Sequence, residues 1–153
     1  MPLIGVFFVG ELMEQIFFED ISEGMRESMT YLVTEEMVNM FAAVSGDHNP
    51  VHVDADYAAG TQFKERIAHG ALSSSFISAV LGTKLPGPGA IYMSQSVKFL
   101  APVKFGDTVK AEVSVLECVE GKNRVKFETA CFVKDKKVVT GEALVYVPNR
   151  KNI

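Results

Sequence analysis

Asp47 and His52 stand five residues apart in the segment Asp47-His48-Asn49-Pro50-Val51-His52, which puts a carboxylate and an imidazole within reach of one small site. Such a pair can polarise a water molecule between them and deliver a proton to a substrate carbon. Asn49-Pro50 keeps Asn49 out of the α region and favours a tight turn that can fold the two side chains toward each other. The competing description is an ordinary helix-exit turn, in which Asp47 caps backbone amides and His52 is exposed. Spacing alone leaves both standing.

A second constellation is Ala68-His69-Gly70 at the start of an apolar segment. Unpaired amides at a helix N-terminus bind anions and developing negative charge. Gly70 has no Cβ, so a ligand carbonyl could approach its N–H closely, as in an oxyanion hole. The alternative is that Gly70 only permits close packing and His69 is a satisfied structural histidine. Asp47, His52, Asp54 and His69 have metal-ligand chemistry, but no fixed ligand spacing joins them, and no metal is expected. Ser45, Ser73, Ser74 and Ser75 lie outside any Gly-x-Ser-x-Gly elbow. With no Gly-x-Gly-x-x-Gly or phosphate loop, no cofactor is expected either.

The elements that must position these residues follow from periodicity. Residues 25–33 can form a first strand. Thr34 is a good N-cap with Glu35 and Glu36 in the first turn, and Met37, Met40, Phe41 and Val44 recur at helical spacing until Gly46 stops the helix. That places Asp47–His52 in an irregular turn just after a helix. A second helix runs from about Ala68 to Gly82 with apolar groups almost all round, interrupted only by Ser73, Ser74, Ser75 and Ser78, and so is expected to be buried on every face. Four strands then alternate with period two: Ile91, Met93, Val97 and Phe99; Val109, Ala111, Val113 and Val115; Val125, Phe127, Thr129, Cys131 and Val133; Val139, Ala143, Val145 and Val147. Short turns join them, so the fold class is α+β, a curved antiparallel sheet wrapped around the apolar helix.

The chain has 153 residues, 48% hydrophobic and 22% charged, which suits one globular domain. Its formal charge of −4 argues against nucleic acid or an anionic membrane as partner, since both reward basic faces. Leu3–Val9 is apolar but short, unpreceded by Lys or Arg, and followed by Glu11, so it fits neither a signal peptide nor a membrane span; a cytoplasmic location is expected. The expected division is a lead-in over residues 1–24, a domain over 25–148 and a tail over 149–153, with residues 1–12 a poorly packed extension. Cys118 and Cys131, both in predicted strands, are expected to be small buried hydrophobes in a reducing compartment.

Ser45-Gly46-Asp47-His48-Asn49-Pro50-Val51-His52-Val53-Asp54 resembles the hydratase motif of the MaoC-like (R)-specific enoyl-CoA hydratases. The likeness continues through Phe63-Lys64-Glu65-Arg66-Ile67-Ala68-His69-Gly70, Leu85-Pro86-Gly87, Tyr92–Phe99, Pro102-Val103, Gly106-Asp107 and Thr140-Gly141-Glu142-Ala143, about residues 25–147. The resemblance implies a hot-dog fold paired into a homodimer. It also implies reversible hydration of trans-2-enoyl-CoA, with Asp47 and His52 activating water and the Gly70 N–H polarising the thioester carbonyl. It further implies that Asn49 shapes the turn and that Ser78 lies near the site and helps orient the pair; His48 falls at a variable position and carries no role. Acyl carrier protein is the alternative carrier, for which the basic hairpin of Lys134, Lys136 and Lys137 would be a docking patch. Two other hot-dog activities remain in competition, a thioesterase and a non-catalytic acyl-thioester-binding module.

Overall fold

A computed structural model describes residues 14–152, so the expected extension at residues 1–12 lies outside it. The strands are β1 (Arg26–Leu32), β2 (Ile91–Phe99), β3 (Thr108–Val119), β4 (Arg124–Val133) and β5 (Lys136–Tyr146). They form one five-stranded antiparallel sheet in the order β1-β3-β4-β5-β2. The helices are α1 (Glu35–Ser45), α2 (Pro50–Val53), α3 (Ala55–Ala59) and α4 (Gly70–Thr83). Among the described residues, no helix is long and apolar enough to cross a membrane.

Helix α4 packs against β1, β2, β3 and β4, and so meets strands at both edges of the sheet. Those edges are four strand spacings apart, about 19 Å in a flat sheet, against a helix diameter of about 10 Å. Only a curved sheet brings both edges onto one helix, and this is the expected wrapping. The pleat supplies the core: Val109, Ala111, Val113 and Val115 of β3, Val125, Phe127 and Cys131 of β4, and Val139, Ala143 and Val145 of β5 are all buried against Leu72, Phe76, Ile77, Val80 and Leu81 of α4. Each such valine or larger side chain stabilises the fold by roughly 1.5–3 kcal/mol through burial. Phe18 and Ile21 join the same core from the N-terminal side. Arg150 ties the tail back through a pair to Asp20 at 2.7 Å and by lying over Phe17 at 4.9 Å.

Three details depart from the periodic reading. In α1 the buried residues are Val38 and Ala42, with Met37 and Phe41 packed at the margin, whereas Met40 and Val44 are 56% and 82% exposed. The helix packs chiefly against α2 and makes little direct contact with the strands, so half of the apolar stripe is left uncovered in this chain. Helix α4 is not buried all round: Ala71, Ser75, Ser78 and Gly82, at helical spacing, form an exposed stripe of small residues. Strand β2 carries a register shift between Tyr92 and Ser94, and as an edge strand it leaves Ile91, Met93 and Phe99 exposed.

Cys131 is buried and its thiol, at 3.5 Å, donates to the Ser73 carbonyl; burial pushes it up to about 12. Cys118 is half-buried, and desolvation raises its thiol as well.

Candidate active site

The turn after α1 is built from its own side chains. Gly46 takes the left-handed conformation at φ 78°, its N–H donating to the Ala42 carbonyl, which ends the helix where the sequence predicts. Ser45 Oγ donates to the Phe41 carbonyl at 2.6 Å and accepts from the Asp47 N–H at 3.1 Å. Asp47 Oδ1 in turn accepts from the Asn49 N–H at 3.1 Å, and Asn49 Oδ1 from the Val51 N–H at 3.3 Å. Asn49 is therefore the N-cap of α2, with Pro50 in its first turn. The expected irregular segment is irregular only as far as Asn49. His52 rides on a helical turn whose start Asn-Pro fixes.

His52 is then held from two sides. Its Nδ1 lies 2.8 Å from the Ile67 carbonyl oxygen, and its own carbonyl accepts from Arg66 Nε at 2.6 Å. A carbonyl can only accept, so Nδ1 carries the hydrogen, and Nε2 of the neutral ring is left as a lone-pair acceptor. Arg66 has a side chain only 11% exposed and also reaches Glu35 Oε1 and Asn39 Oδ1, each at 2.7 Å, and lies over the Phe105 ring at 4.9 Å. It thereby clamps α2 to α1. Spacing gives no sign of this, because its partners lie up to 31 residues away.

His69 is the N-cap of α4 and only 1% exposed. Its Nε2 lies 2.9 Å from the Asp47 carbonyl oxygen, its ring stacks on His52 at 3.9 Å between centroids, and Phe41 packs beside it at 4.9 Å. Gly70 follows as the first residue of α4, where its N–H has no partner within the helix. A Cβ on Gly70 would come within 2.7 Å of the Phe99 ring.

His52, His69 and Gly70 line one cavity of about 480 Å³, with Phe63, Ile67, Ser73 and Val139 among the inner walls and Phe99 and Leu100 on the outer one. Asp47 is exposed beside it, with a carboxylate oxygen and a ring nitrogen each from His52 and His69 all within 4.8 Å of one another. The fold thus gathers Asp47, His52 and Gly70, with Asn49 as the cap that shapes the turn. Ser78 is not gathered: it is exposed on the small-residue stripe, two helical turns beyond Gly70, and does not line the cavity of this chain. The stacked imidazoles direct their in-plane lone pairs along rings inclined by only 29°, and each has one nitrogen committed to a backbone carbonyl. The cluster reads as an acid–base pair over a cavity. Of the hairpin lysines, Lys137 pairs with Glu128 at 3.8 Å and lies over the Phe132 ring.

The family model described as MaoC like domain matches residues 17–140. An (R)-specific enoyl-CoA hydratase of Rhodospirillum rubrum is 56% identical over 134 residues, 88% of this chain and 93% of that protein. A 3-hydroxybutyryl-CoA dehydratase of Methylorubrum extorquens is 44% identical over 136 residues, 89% of this chain and 87% of that protein. The unliganded R-hydratase PhaJ1 from Pseudomonas aeruginosa superposes with a TM-score of 0.85 at 50% identity, covering 89% of this chain and 88% of that one.

Proposed function

The chain belongs to the MaoC-like family of hot-dog proteins, and we propose that it is an enoyl-CoA hydratase that adds water reversibly to trans-2-enoyl-CoA to give (R)-3-hydroxyacyl-CoA. The observation that carries the chemistry is the juxtaposition of the His52 ring and the Gly70 N–H in one largely apolar cavity, with Asp47 at its side. Water adds poorly to an enoyl thioester unless C3 is made electrophilic and the water basic. The Gly70 N–H donates to the thioester carbonyl oxygen as that oxygen gains enolate character. His52 Nε2, left as the acceptor by the Nδ1–Ile67 bond, takes a proton from water as its oxygen bonds to C3. The resulting imidazolium returns that proton to C2 on the same face, so H and OH add syn and the ring is regenerated. Asp47 orients the water and faces the transient charge on His52.

Coenzyme A is favoured over acyl carrier protein as carrier, since both curated relatives described above are named for CoA thioesters. A second copy of the chain is the expected partner. Edge strand β2 offers unpaired backbone beside exposed Ile91, Tyr92 and Met93, and the small-residue stripe of α4 permits close helix approach. A reducing, cytoplasmic setting suits the two free thiols.

The test is to mix the protein with crotonyl-CoA, follow the conjugated thioester absorbance, and resolve the product by chiral chromatography. Loss of absorbance with (R)-3-hydroxybutyryl-CoA is expected; free thiol appearing instead would replace hydratase by thioesterase. Asp47→Asn and His52→Ala should each lower the rate by about 10²–10⁴-fold. Near-normal turnover in either would overturn the assignment of that residue.

A further inference from the structure

We infer that His69 is a positioning residue for this hydration, an inference that rests on the hydratase reading: its imidazole fixes where the Asp47–His52 turn sits relative to the Gly70 amide.

The His52 end of the turn is tied to residues 66–67 by Arg66, by the Nδ1–Ile67 bond and by the Ile67 N–H on the Val51 carbonyl, but at the Asp47 end the local hydrogen bonds determine shape and not place. Asp47 is bonded locally, its N–H to Ser45 Oγ and its carboxylate to the Asn49 N–H. The bond from His69 Nε2 to the Asp47 carbonyl spans 22 residues and ties this backbone to the start of α4. The acceptor is a carbonyl, so Nε2 must carry the hydrogen. The same ring stacks on His52 at 3.9 Å, and His69 is joined through one peptide bond to Gly70. One side chain therefore touches Asp47 and His52 and is covalently adjacent to the third group.

The other nitrogen shows why this residue is more than filler. His69 Nδ1 is buried with no hydrogen-bond partner. An apolar ring would fill the same space between Phe41 and His52 without leaving a polar atom unpaired. What the imidazole adds is the donor that reaches the Asp47 carbonyl. It acts through Asp47 and His52 and holds no proton of the reaction itself.

Two substitutions separate the donor from the ring. His69→Phe keeps the ring and its stacking but removes the donor, and His69→Leu serves the same arm if Phe disturbs the helix start. His69→Gln gives up the ring but can place an amide N–H where Nε2 stood. Amide hydrogen exchange over residues 47–52 and crotonyl-CoA kinetics are measured on each, with the melting temperature as the control for folding. His69→Phe should speed exchange in the turn by about tenfold while β3 and β4 stay protected. Its kcat should fall by about 100-fold, the scale of an ångström's misplacement, with KM within about threefold of the parent. His69→Gln should recover most of both. A turn as protected and a kcat as high in His69→Phe as in the parent would overturn the proposal, as would a Gln variant no better than Phe. Absence of hydration by the parent protein would instead overturn the hydratase reading, and exchange alone would then decide whether His69 holds the turn.

Discussion

Gly70 shows how much one missing methyl can decide. The Phe99 ring occupies the space a Cβ would need, and that ring is an outer wall of the cavity, 58% exposed. Gly70→Ala should therefore cost only about 1 kcal/mol of stability, the low end for overpacking. It should lower kcat/KM by at least about tenfold, toward the hundredfold of losing an oxyanion donor. Thermal melting and steady-state kinetics check the two halves, and an unchanged kcat/KM would remove Gly70 from the site. Combining it with Phe99→Leu should restore the melting temperature. At this scale the sequence was informative wherever function depends on neighbours in the chain. Asn49-Pro50 shapes the turn as expected, though the helix α2 that Asn49 caps was not foreseen, and Gly46 ends α1 with a positive φ that a side chain would resist. It was uninformative for Arg66 and His69, whose roles depend on groups 14–31 and 22 residues away.

Between elements, β5 and β2 approach very closely at Gly141. Gly141 pairs with Val97, and a Cβ there would lie 1.8 Å from the Ser96 carbonyl oxygen. That oxygen belongs to backbone, which cannot rotate aside. Gly141→Ala should force the two strands apart and destabilise the protein by about 3 kcal/mol or more, at the severe end of overpacking. A urea titration would show a lower midpoint with little change in slope; an unmoved midpoint would mean the strands are not so close. The period-two pattern located both strands, but it could not say that they are neighbours. Nor could it show that β2 is an edge, because Ile91, Met93 and Phe99 look like an inward face whether the cover comes from this chain or another. The same ambiguity covers the apolar run of α4, whose stripe of Ala71, Ser75, Ser78 and Gly82 is exposed here.

For the whole molecule, β2 and that stripe lead to one expectation: a homodimer of the 16.7 kDa chain. Sedimentation should give twice the chain mass. Met93→Asp on β2 and Ser78→Arg on α4 should each shift it toward monomer and lower the hydration rate, because Phe99 and Leu100, the cavity's outer wall, would then be left facing open solvent. A monomeric parent would sink the pairing, and Ser78 would then have neither a site nor an interface to serve. By itself the sequence determined the α+β class, the positions of the five strands and of α1 and α4, the turn that opens at Gly46 and the family, because each is written in residues close along the chain or in a motif read in order; the short helices α2 and α3 were not read from it. Only the tertiary structure decided that Asp47, His52 and Gly70 share one place, that His69 and Arg66 hold them there, and which nitrogen of His52 is free. Those facts depend on contacts between distant residues, and such contacts exist only once the curved sheet has closed on α4.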